Sequence, residues 1–233
     1  MQQRDRGTPQ GSAVSPVLAN LFMHYAFDRW MAGRFPTIQF ERYVDDAVVH
    51  CVSEAQAHQV LAALQVRLRE VGLELHPDKT RVVYCKDSNR RGSYEHTAFT
   101  FLGFTFRARQ VRLKTGKRFT GFNPAISNDA LKKLSAQVRS WRLHRHTEVS
   151  EADLAQRINP SVRGWMNYYG AFYRSALYPL LGRINAYLMR WLRKKSKRLR
   201  GRKKAQEAWT RTVTTRPWLF AHWVWVPTVP VVW

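Results

Sequence analysis

Apolar residues recur at helical spacing after a polar start. Val17, Leu18, Leu21, Phe22, Tyr25 and Trp30 share a face, Ser15-Pro16 supplies an N-cap and a first-turn proline, and Gly33 stops the run. The pattern then changes to β-rich runs at residues 38–43 and 47–52, which flank Val44-Asp45-Asp46 as a tight hairpin. A further helix opens at Ser53-Glu-Ala-Gln56, which has the form of a capping box. It carries Val60, Leu61, Leu64, Leu68 and Val71 as its apolar stripe and closes at Gly72. Residues 81–85 read as a strand and residues 99–106 as a dense aromatic β-segment. Beyond Asn123-Pro124 the periodicity is helical only, in segments near 127–143, 151–158, 160–174, 176–199 and 202–211. The expected fold class is α+β, strands and helices in front and helices behind, with a boundary between residues 115 and 125.

Charge sharpens this picture. The 233 residues hold 39 Lys/Arg against 16 Asp/Glu, a net charge of +23. A surplus of that size calls for a polyanionic partner. It is also uneven: residues 1–122 carry 18 Lys/Arg against 11 Asp/Glu, leaving 21 against 5 for residues 123–233. Nine Trp and nine Tyr are interleaved with the cations, a combination that suits RNA, where phosphates need cations and unstacked bases need rings. Within the rear half, the stretch Arg190–Lys204 contains ten Lys/Arg in fifteen positions and no acid. Arg190, Arg193, Lys194, Lys195 and Lys197 come first, then Arg198, Arg200, Arg202, Lys203 and Lys204. Leu188, Trp191, Leu192 and Leu199 anchor the run, giving it the form of a helix with a cationic face for an RNA backbone.

Other classes recede. Cys51 and Cys85 sit in apolar runs and read as buried free thiols, in keeping with a cytoplasmic location. There is no Cys-x-x-Cys pair for a zinc site. His144 and His146 have no third ligand nearby and read as surface residues. The apolar end, residues 224–233, is too short to span a bilayer and is interrupted by Pro227 and Pro230.

The candidate chemistry lies at Tyr43-Val-Asp-Asp46. Adjacent carboxylates at a turn between apolar strands repel, and a divalent cation such as Mg2+, which prefers hard oxygen ligands, relieves that repulsion. Other short motifs surround the pair. Gly7-Thr-Pro-Gln-Gly-Ser-Ala-Val-Ser-Pro16 precedes it, and Gly72-Leu-Glu-Leu-His-Pro-Asp-Lys-Thr80 and Phe101-Leu-Gly-Phe104 follow. In this order they resemble the later palm motifs of reverse transcriptases. Ile158-Asn-Pro-Ser-Val-Arg-Gly-Trp-Met-Asn-Tyr-Tyr169, Trp191-Leu-Arg-Lys-Lys195 and Leu219-Phe-Ala-His-Trp223 resemble the maturase-specific region of group II intron proteins.

The resemblance implies a C-terminal part of a reverse-transcriptase palm at 1–118, a helical thumb/maturase domain at 119–223, and an unassigned apolar tail at 224–233. It implies that Asp45 and Asp46 hold catalytic Mg2+, with Lys79 near the nucleotide phosphates. Thr8, Pro9, Gln10 and Gly11 would line the incoming nucleotide and template, and Tyr43 and Val44 would meet the primer end. Phe101-Leu-Gly-Phe104 resembles the segment that grips the primer. The implied partners are group II intron RNA, a DNA primer or target, and deoxynucleoside triphosphates, with no membrane. Because only the later palm motifs are present, the chain is expected to be a fragment without the front of the polymerase, inactive when isolated unless a separately encoded N-terminal half completes it. Alongside the polymerase reading stand two others: a non-catalytic intron RNA-binding splicing cofactor, and an inactive remnant of a mobile element.

Overall fold

The structure, a computed structural model, describes residues 14–90, 92–113 and 115–229. The chain divides into two compact units, residues 1–84 and 85–233, and each combines helices with a small antiparallel sheet, so the fold is α+β.

In the first unit, α1 (Ser15–Met23) continues through a π-helical segment (His24–Asp28) into α2 (Arg29–Arg34). Pro16 lies in the first turn as expected, but Val14 rather than Ser15 occupies the N-cap position. β1 (Phe40–Tyr43) and β2 (Asp46–Val49) form the expected hairpin. In α3 (Glu54–Glu70) the Ser53 hydroxyl accepts from the Gln56 amide, while the Gln56 side chain reaches back to the Val52 amide rather than to that of Ser53, so the capping box is closed one residue early. Phe27, Met31, Ile38, Val60 and Leu64 form the core, with Phe40, Val49 and Cys51 packed on it. The apolar face of α1 is open: Val17 is 64% exposed, Leu21 53% and Phe22 46%, and no residue of α1 is buried. Residues 81–85, expected as a strand, belong to neither sheet of the described residues. Their side chains have the right β character, but β-propensity yields to context.

The second unit opens with a three-stranded meander of β3 (Ala98–Phe101), β4 (Phe104–Arg112) and β5 (Arg118–Ile126). The aromatic segment 99–106 is thus a hairpin, turning at Leu102-Gly103, where φ is +50° and +78°. Both values are positive, as the tight primed turns of two-residue hairpins require. Asn123-Pro124 lies within β5, opposite Arg107 and Phe106. Pro124 fits there because β5 is an edge strand, where a missing N–H is tolerated. The boundary expected near 118 therefore falls at the first residue of β5, and the compact units part earlier, at 84/85. The reason is packing: Ile126 belongs to the same core as the helices that follow.

Those helices are α4 (Asn128–Ser140), α5 (Glu151–Tyr169), α6 (Tyr178–Lys195) and α7 (Arg202–Thr215). Residues 151–169 form one helix instead of the expected two, with Pro160 inside it. Proline removes one backbone bond, but Asn159 next to it is tied down on both polar atoms. Its Nδ2 donates to the Leu219 carbonyl at 2.9 Å, and its Oδ1 accepts from the Ala221 amide at 2.9 Å. The segment Val226–Thr228 is also anchored. Asn185 Nδ2 donates to the carbonyls of Val226 and Thr228, both at 2.8 Å, and Trp209 Nε1 donates to Pro227 O at 3.0 Å. Residues 224–229 thus form part of the helical unit. Among the described residues no helix is long and apolar enough to cross a membrane.

Candidate catalytic hairpin and nucleic-acid interface

Tyr43 pairs with Asp46, so the turn is made by Val44 and Asp45. Val44 has φ +58°, a backbone region costly for a β-branched residue. Arg42 holds it there. Its Nη1 donates to the Val44 carbonyl at 2.6 Å and to Asn20 Oδ1 at 3.1 Å, while Nε and Nη2 each donate to an Asp28 oxygen at 2.7 Å. The Arg42 hydrogen bond lowers the Asp28 pKa, and the same bond raises that of Arg42.

The π segment makes this bracket possible. A regular α-helix repeats its face every seven residues, and a π turn adds one. Asn20 and Asp28, eight apart in sequence, therefore come to one side of the helix. Sequence reading gave Arg42, Asn20 and Asp28 no role. The available signal was a strand arginine, three residues before the first carboxylate, that needed an acid to pair with.

Asp45 and Asp46 are both exposed, and Tyr43 is 60% exposed. The strands around them are half-buried and exposed rather than buried, so solvent moderates the repulsion that was expected to be costly. As a donor set the pair fits Mg2+, which takes one or two carboxylates and completes its shell with water and substrate phosphate. Among the described residues no group of three or more acidic, His or Cys side chains gathers for a metal. Lys79 is exposed in a separate turn at residues 76–80 of the same unit. Thr8, Pro9, Gln10 and Gly11 lie outside the described residues. Cys51 and Cys85 are free and half-buried, and burial raises the pKa of both.

In the second unit the basic stretch spans the last turns of α6, a short 3-10 turn (Lys197–Leu199) and the start of α7. The structure divides its cations by role. Lys195 donates to the Thr147 and Val149 carbonyls and lies 5.2 Å from the Trp191 ring centroid. Arg193 donates to Arg200 O at 2.9 Å, and Arg190 covers Tyr187. Lys194, Lys197, Arg198, Lys203 and Lys204 present exposed side chains. Arg142 and Arg145 join them, a contribution that sequence reading missed. Burial lowers the pKa of His144, and Lys194, Arg145, Arg190 and Arg142 lower it further, which places four cations around one ring. His144 and His146 are half-buried rather than on the surface. The signal for Arg142 and Arg145 was their place in a cationic run just ahead of α5.

The Leu219–Trp223 motif is core, not surface. His222 and Trp223 are 0% and 3% exposed, and Asn185 Oδ1 accepts from both, at 2.7 Å and 3.1 Å.

Comparison with known families decides the lineage. Residues 2–106 match the reverse transcriptase (RNA-dependent DNA polymerase) family, and residues 131–209 match the group II intron, maturase-specific domain. The chain belongs to the group II intron reverse transcriptases/maturases. The reverse-transcriptase match contains the Tyr43–Asp46 hairpin and all of the first unit from residue 2. The maturase match contains α5, α6 and the basic stretch. No curated protein matches the chain.

Proposed function

We propose that the chain binds intron RNA through its maturase unit and contributes the Asp45/Asp46 hairpin to RNA-directed DNA synthesis. The observation that carries the RNA-binding reading is the start of α7. Arg202, Lys203 and Lys204 occupy its first turn, with Gly201 as an N-cap that offers no side-chain oxygen. The N-terminus of a helix is its positive end, so three cations there are self-repelling. A phosphate placed among them relieves the repulsion and meets the positive end of the helix. Together with Lys194, Lys197 and Arg198, this end of the unit suits a nucleic-acid backbone.

For the hairpin, a bound Mg2+ would supply neutralisation of phosphoryl oxygens. Asp45 and Asp46 are the residues that would hold it, Arg42 fixes the turn on which they stand, and Tyr43 offers an exposed ring beside them. Lys79, from its own turn, is the cation for nucleotide phosphates. Thr8 to Gly11 stay with the nucleotide and template on the motif resemblance alone.

Two substitution sets separate these roles. Asp45→Ala should leave affinity for structured intron RNA unchanged and lower primer extension by any polymerase assembly containing this chain by at least about 100-fold. Lys194, Lys197, Arg198 and Lys203 changed together to Gln should do the reverse, weakening RNA binding. Equal loss of RNA affinity from both sets would refute the assignment of separate roles.

A further inference from the structure

Gly164 stands inside α5, and a Cβ built on it would meet nothing within 4 Å. Glycine is the least favourable residue for a helix interior apart from proline, and packing within the chain gives no reason for it here. The side of the helix on which it lies does. Arg157, Gly164 and Tyr168, seven and four residues apart, form one line along α5, and all three are exposed. Asn167 and Arg163 flank that line and are exposed as well.

At the end of the line two rings face solvent. Tyr168 is 49% exposed, and Phe172, just beyond the helix, is 64% exposed. They are held in place rather than free. Tyr168 Oη donates to the Leu102 carbonyl at 2.8 Å, and both rings pack on buried Phe104, with centroids 5.1 Å and 5.5 Å away. Past the first turn of α5, which holds Glu151 and Asp153, every charged side chain of the helix is a cation, and no acidic residue occurs between Asp153 and Glu207.

We infer that this face of α5 is a docking surface for a strand of RNA. The sugar–phosphate backbone passes close over Gly164 beside Arg157 and Arg163, and an unpaired base stacks on Tyr168 and Phe172. Charge complementarity and fixed, open rings favour this occupant, because bases offer flat faces that stack on aromatic side chains whatever their sequence. The glycine leaves room that any side chain would fill. The inference rests on the RNA-binding reading of this unit, but it adds a contact surface outside the basic stretch.

The test uses the full chain and a single-stranded RNA carrying 2-aminopurine, whose fluorescence reports stacking. Gly164→Ala should raise Tm by about two to four degrees, since alanine favours the helix and fits the space, and at the same time weaken RNA binding about five-fold. Tyr168→Leu combined with Phe172→Ala should weaken binding by about five-fold or more and abolish the fluorescence change at saturating protein. The four-Gln variant of the basic stretch should bind less tightly but keep that change. The inference is overturned if Gly164→Ala and the ring variant bind RNA as tightly as the parent with the same fluorescence change. That is also the result expected if a protein docks on this face, or if the face stays open. Should the four-Gln variant also bind like the parent, the RNA-binding reading itself has failed, so the two failures are distinguishable. If the ring variant does not fold, Gly164→Ala carries the test alone.

Discussion

The His222 ring is fully enclosed, and its protonation state follows from its neighbour. Asn185 Nδ2 donates to two backbone carbonyls, which leaves Oδ1 as the acceptor facing His222 Nε2, so Nε2 carries the proton. The other ring nitrogen, Nδ1, is buried without a partner in the described structure. Burial lowers the pKa to about 3. Below the ordinary histidine value near 6.5 the unfolded chain takes up a proton that the folded chain refuses. Stability from this residue is therefore complete above about pH 6.5 and declines as the pH falls toward 3, by about 1.4 kcal/mol per pH unit. Urea unfolding at pH 7 and pH 5 should show that loss, and a His222→Phe variant should lack it; an equal loss in the variant would assign the effect to other groups. Asn185→Leu should be more damaging, by about 3 kcal/mol at pH 7, because it leaves two carbonyls and two ring N–H groups without partners.

Among the elements, α5 and the segment around Trp225 approach each other closely at Gly170. A Cβ on Gly170 would collide with the Trp225 ring and with the Met166 carbonyl, and the Trp225 ring lies 4.5 Å from the Arg174 guanidinium carbon. Gly170→Ala should displace the end segment and cost about 1–3 kcal/mol, read as a lower Tm; an unchanged Tm would show that Trp225 has room to shift. The elements also show what the sequence could reveal. Helices with a cap, a stripe and a stop were legible: α3 starts at Ser53 and ends before Gly72 as read, because those signals act within a few residues. The β1–β2 hairpin was legible for the same reason. The course of residues 81–85 and of Pro160 was not, since each depends on distant partners. The former joins neither sheet of the described residues, and the latter is carried through by Asn159 bonding to residues 219 and 221. Of the candidate sites, the carboxylates and the cations were visible in the sequence. Which cations are spent within the fold was not, because Lys195 and Arg193 meet backbone carbonyls that no spacing rule locates.

At the scale of the whole molecule, the net charge of +23 governs behaviour in salt. RNA carries condensed counterions, and each phosphate neutralised by a cation releases them, adding roughly 0.7–0.9 to the slope of log affinity against log salt. Only cations with free heads contribute. Lys194, Lys197, Arg198 and Lys203 are exposed, so changing all four to Gln should flatten the slope by about two to four. Lys195→Gln should scarcely change the slope but lower Tm, because its ammonium ties the Thr147 and Val149 carbonyls to α6. Asp45→Ala removes a negative charge from the other unit and should leave the slope nearly unchanged. Filter binding of structured intron RNA at several salt concentrations reads all three variants together. A slope that survives the four Gln substitutions would mean that the basic stretch is only solvated surface, and the RNA contacts would then have to come from cations elsewhere on the chain.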